Sequence, residues 1–127
     1  MIYGLLYVGF AVERVDATRR TFKGLFGLSG ERLPPDPFLG TDKGARLAFP
    51  NECWLYAMES QQPDSPVRQF IDRRGPGLER VALLSDDIEA EFQRVRDAGV
   101  PLDGIVPADT PLGRRFFVPG EFVSGVG

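Results

Sequence analysis

Residues 6–17, LYVGFAVERVDA, return seventy-three positions later as ERVALLSDDIEA at residues 79–90. In that alignment Val8 meets Val81, Gly9 meets Ala82, Phe10 meets Leu83, Val15 meets Ile88 and Ala17 meets Ala90. Each copy reads as an apolar strand, an acidic turn and a helix. A second stretch repeats at an offset of 69, where RLAFPNE at Arg46–Glu52 matches RFFVPGE at Arg115–Glu121, both strands running into a Pro-containing turn. The repeat limits the chain to two similar halves of roughly sixty residues, each too small to close a core alone. The expectation is two βαβββ modules in one domain, 1–127, pairing their sheets around a cleft. Module one covers about 1–60, a linker and short helix 61–75, and module two about 76–127.

Periodicity fills in the elements. Ile2 to Val12 has strand composition, and Val15, Arg19, Phe22 and Phe26 then fall at helical spacing up to Gly27 and Gly30. Glu31 to Thr41 carries three prolines and is expected as loop or edge strand. Arg46–Phe49 and Cys53–Met58 read as a hairpin around Pro50, Asn51 and Glu52. After the linker QQPDS comes a helix from Pro66 to Arg73, with Ser65 as N-cap and proline at the first position. Copy two gives a strand Leu78–Leu84, a helix Asp86–Ala98 ended by Gly99, strands Leu102–Val106 and Arg115–Val118, and a last strand from Phe122. Phe22, Phe26, Phe92 and Val95 are expected in the core.

Composition removes several classes of function. The chain has 127 residues, 43% of them hydrophobic and 26% charged, which is globular composition. Its lone cysteine, Cys53, cannot form an internal disulfide, and neither a signal-peptide pattern nor an apolar run of membrane-spanning length is evident. A soluble cytoplasmic protein is expected, with no membrane partner. Fifteen scattered basic residues against eighteen acidic ones, net −3, argue against nucleic acid. Histidine is absent, which excludes imidazole catalysis and the usual zinc sites. Acid–base work falls to carboxylates, tyrosines or lysines.

The layout, together with the run DSPVRQFIDRRGPGLERVAL at Asp64–Leu83, resembles the vicinal oxygen chelate (glyoxalase, bleomycin-resistance and dioxygenase-like) superfamily, and within it the methylmalonyl-CoA epimerases. The resemblance covers essentially the whole chain and implies an α+β, glyoxalase-like fold with curved mixed sheets. In the epimerases a divalent metal is held by a histidine on the first strand of each copy and by Glu or Gln on the last. The corresponding first-strand positions are Tyr7 and Arg80, and the fourth-strand position of copy one is Tyr56. The fourth ligand would fall about two residues beyond Gly127, so the closing strand is expected to be cut short. None of the expected ligands is present, and an arginine at a ligand position repels a cation. No metal and no other cofactor is expected.

The family's catalytic carboxylate stands just before its third strand, where this chain has Asp42, Lys43, Gly44 and Ala45. Asp42 is therefore the candidate general base, against the alternative of a solvated turn residue. Arg80, Tyr7 and Tyr56 form the candidate ligand-binding set. A guanidinium and two phenols in a vacated metal position can hold a carboxylate or thioester oxygen and stabilise an enolate. Alternatively Arg80 pairs with Asp42 or a neighbouring carboxylate while the tyrosines fill space. Glu79 is expected on the opposite strand face from Arg80. Arg73 and Arg74 could meet the phosphates of a CoA-like ligand but also suit a helix C-terminus. Three functions stand open: a metal-independent epimerase, isomerase or lyase acting on an acyl-CoA-like or carboxylate ligand, with Arg80 and Asp42 catalytic; a non-catalytic protein that binds or sequesters an anionic or aromatic small molecule; and a scaffold. A homodimer is open to each.

Overall fold

The computed structural model describes residues 1–37, 40–50, 53–102, 105–110, 113–116 and 118. The turn residues Asn51 and Glu52 and the strand expected from Phe122 lie outside them. Contacts divide the chain into two compact units, one of Gly4–Leu84 and one of Met1–Tyr3 with Ser85–Gly127.

The first unit is built on strand β1 (Ile2–Ala11), helix α1 (Val15–Phe26), strands β2 (Gly30–Leu33), β3 (Lys43–Ala48) and β4 (Trp54–Glu59), helix α2 (Pro66–Arg74) and strand β5 (Gly77–Ser85). The first five elements are the βαβββ series that the repeat implies. The sheet runs β2-β3-β4-β1-β5, so the two strands related by the 73-residue repeat, β1 and β5, are neighbours. β1 is parallel to β4, with Tyr7 opposite Trp54, Gly9 opposite Tyr56 and Ala11 opposite Met58. β3 is antiparallel to both β4 and β2.

Strand alternation sends Ala45, Leu47 and Ala57 to one face, where they bury against Val15 of α1, with Phe22, Leu28 and Leu55 packed around them. α1 ends at Gly27, which adopts φ 69° and returns its N–H to the Lys23 carbonyl. Arg14 offers no side-chain cap at the other end. That duty passes to Glu59 at the end of β4, whose carboxylate accepts the Val15 N–H at 2.8 Å. Ser65 caps α2 as expected, accepting from the Val67 N–H. Phe26 departs from expectation. It is 64% exposed, because it occupies the last position of α1, one residue from the turn at Gly27.

The second unit contains helix α3 (Ile88–Asp97), capped by the Asp87 side chain on the Ala90 N–H, and a short antiparallel pair, β6 (Ala108–Thr110) and β7 (Gly113–Arg115). Phe92 of α3 meets Phe116 edge-on at 5.2 Å, and Arg114 bridges Glu89 and Asp109. The expected strand Leu102–Val106 does not form at its described residues. Residues 102, 105 and 106 are not in a strand, and the Ile105 N–H donates to the Leu102 carbonyl at 2.9 Å; residues 103 and 104 lie outside the described residues. Pairing begins only at Ala108. Of the strand expected over Arg115–Val118, Arg115 closes β7, which begins earlier, at Gly113, while 116 and 118 are not in a strand and 117 lies outside the described residues.

Candidate ligand-binding face on β1, β4 and β5

The sheet face opposite α1 carries the residues singled out from the sequence. Alternation along β1 places Tyr7, Gly9 and Ala11 there, and along β4 it places Trp54, Tyr56 and Met58 beside them. Tyr7 and Tyr56 are 2% and 1% exposed. Their rings meet edge-to-face with centroids 5.1 Å apart, and Trp54 lies 4.7 Å from Tyr7 and 5.4 Å from Tyr56.

Two glycines make this arrangement feasible. A Cβ on Gly9 would lie 2.8 Å from both Arg80 Cγ and Met58 Cε and 3.4 Å from Tyr7 Cε1. The bare backbone at Gly9 thus leaves room for the Arg80 side chain from β5 and for Met58 beside the Tyr7 ring. A Cβ on Gly44 would meet Tyr56 Cε1 at 2.6 Å, so the Tyr56 ring is seated against β3 at Gly44. Tyr7, Tyr56 and Arg80, far apart in the chain, therefore share one patch.

Arg80 donates from Nε to the Glu79 carboxylate, and the two side chains are only 9% and 10% exposed. Strict alternation put Glu79 on the other face, and that expectation fails. A guanidinium so far out of water requires an anion, and the flexible Glu79 side chain on the sheet's outermost described strand bends round to supply it. Asp42 precedes β3 and is held at its end: its N–H donates to the Glu59 carbonyl at 2.8 Å, and its carboxylate accepts from Ser60 Oγ at 3.2 Å and the Gln61 N–H at 2.8 Å. The carboxylate engages Ser60 and Gln61 rather than Arg80. Arg73 folds back on the Gln69 carbonyl of its own helix.

Sequence reasoning missed Trp54, Met58 and Arg46 as members of this face. Arg46 stacks its guanidinium 5.7 Å from the Trp54 ring and pairs with Glu31 at 2.6 Å. The signal was the alternation Trp54-Leu55-Tyr56-Ala57-Met58, which groups Trp54 and Met58 with Tyr56.

Two phenols and one guanidinium are a poor donor set for a divalent cation. Among the described residues, no cluster of three His, Cys, Asp or Glu side chains could hold one. The residues present do not fit the metal of the family's epimerases.

This two-layer βαβββ arrangement is that of the glyoxalases, and residues 7–117 match the family model described as the Glyoxalase/Bleomycin resistance protein/Dioxygenase superfamily. The chain belongs to that superfamily and has its α+β, glyoxalase-like fold. Among solved structures it is similar to a methylmalonyl-CoA epimerase variant of Streptomyces coelicolor in complex with 2-nitronate-propionyl-CoA, at 21% identity and a TM-score of 0.77, over 93% of this chain and 88% of that one. The methylmalonyl-CoA epimerase of Mycobacterium tuberculosis matches at 25% identity and a TM-score of 0.80, over 92% and 79%. A hypothetical protein of Bacillus halodurans C-125 matches at 25% and 0.72, over 90% and 82%. No curated protein matches the chain. No helix among the described residues is long and apolar enough to cross a membrane.

Proposed function

We propose that the protein is a metal-independent relative of the methylmalonyl-CoA epimerases that binds a small carboxylate or acyl-CoA-like ligand on the Tyr7, Tyr56 and Arg80 face. The observation that carries this reading is the approach of the Arg80 side chain and the Tyr7 ring to the bare backbone at Gly9, with the Tyr56 ring edge-on to Tyr7. By resemblance these three positions are where the epimerases keep metal ligands. Donors aimed at a carbonyl or carboxylate oxygen in a poorly hydrated site can replace a cation's charge stabilisation. If proton transfer follows, Asp42 takes the proton from the carbon next to the thioester carbonyl and passes it to solvent, the electron pair moves onto the thioester oxygen facing Arg80, and the enolate collapses as water delivers a solvent proton to the other face of that carbon.

A second reading, binding without turnover in the manner of bleomycin-resistance proteins, is favoured by two contacts. Glu79 already neutralises Arg80, and the Asp42 carboxylate already has two donors. Titration calorimetry with propionyl-CoA and methylmalonyl-CoA in excess chelator, with deuterium uptake at the α-carbon followed in heavy water, separates the readings. Binding with exchange supports the first. Binding without exchange supports the second, and no binding of either ligand refutes both. A homodimer belongs to the same proposal and is tested by light scattering on the eluted protein.

A further inference from the structure

On the other side of the sheet, α1 and β2 enclose a groove of about 440 Å³. Its lining includes four cations, Arg19, Arg20 and Lys23 from α1 and Arg32 from β2, and one carboxylate, Asp16. The helical spacing 16, 19, 20, 23 places these α1 side chains on one face. Asp16 is shared between two guanidinia, 3.3 Å from Arg19 Nη1 and 3.9 Å from Arg32 Nε. Arg19 is further committed to the fold, donating from Nε and Nη2 to the Gly30 carbonyl at 3.2 and 2.8 Å. Arg20 and Lys23 have no acidic partner among the described residues. Positive charge is thus concentrated here in a chain whose net charge is −3. Arg19 and Lys23 are a like-charged i,i+4 pair, which opposes helix stability.

We propose that this groove is an anion site for a small molecule bearing a pyrophosphate group. Arginine forks match phosphate oxygens, the excess of cations suits a multiply charged anion better than a single carboxylate, and the volume is that of a nucleotide-sized ligand. The site is independent of the Tyr7 and Arg80 face: β2 and β5 are opposite edges of the sheet, and α1 covers the opposite side.

Titration calorimetry with inorganic pyrophosphate tests it. Wild-type protein should bind with submillimolar affinity that weakens as salt rises. The exposed double variant Arg20→Gln/Lys23→Gln should bind about tenfold more weakly with an unchanged melting temperature. Arg73→Gln/Arg74→Gln, which removes the same charge elsewhere, should bind like wild type. Independently of any variant, pyrophosphate should protect Lys23 from acetylation and leave the chain's other lysine, Lys43, reactive. Absence of binding by wild type, equal losses in the two double variants, or equal protection of both lysines would overturn the proposal. Sedimentation with phosphatidylglycerol vesicles without pyrophosphate binding would also overturn it, placing the phosphate on a lipid headgroup instead.

Discussion

Arg80→Met removes the cation from a pair whose side chains are 9% and 10% exposed, and leaves the Glu79 carboxylate charged with little access to water. Breaking a buried pair from one side costs about 3 kcal/mol or more, because the surviving charge keeps its desolvation penalty and loses its partner. For a chain of this length that corresponds to a fall of roughly 10 °C in melting temperature. Replacing both groups by apolar side chains, in Glu79→Leu/Arg80→Met, removes penalty and attraction together and should restore most of the loss. Urea unfolding followed by the fluorescence of Trp54, the single tryptophan, which packs against Tyr7 and Tyr56, reads both variants. Had Glu79 occupied the opposite face, Arg80→Met would be cheap and the double variant no better than the single. An Arg80→Met protein within about 1 kcal/mol of wild type would refute the buried pair.

Gly44→Ala should destabilise by about 1–3 kcal/mol and alter the near-ultraviolet circular dichroism, because its Cβ would fall 2.6 Å from a rigid ring atom of Tyr56. An unchanged spectrum and melting temperature would show that the ring is not seated on β3. Glu59→Ala leaves the Val15 N–H without its acceptor at the start of α1 and should cost about 1–3 kcal/mol, whereas Glu59→Gln, which keeps an acceptor oxygen, should recover part of it in denaturant titrations. Asp42→Asn should lower α-proton exchange on an acyl-CoA by about a hundredfold with little change in ligand affinity, and equal exchange rates in the two proteins would remove Asp42 from proton transfer.

What was legible in the chain was whatever local spacing or internal repetition encodes. The strand of β1, the helix ended by Gly27 and the helix opened by Ser65 are set by residues within a few positions of one another, and they stand where the pattern put them. The copy of residues 6–17 at 79–90 marked both stretches as strands, and they form β1 and β5; that the two are neighbours in one sheet was decided by the topology. Tertiary structure decided which side chains meet. Trp54 joins Tyr7 only because β1 pairs in parallel with β4 at one register, and a shift of one residue would send it to the helix-covered face. Glu59 caps α1 across forty-four residues, and Glu79 abandons its alternate face for Arg80. The apolar stretch from Leu102 that looked extended carries no strand at its described residues, where the Ile105 N–H bonds the Leu102 carbonyl instead. Hydrophobic period and capping chemistry act along the chain, whereas partner choice for a buried charge or ring depends on desolvation, which exists only once the sheet has closed around it.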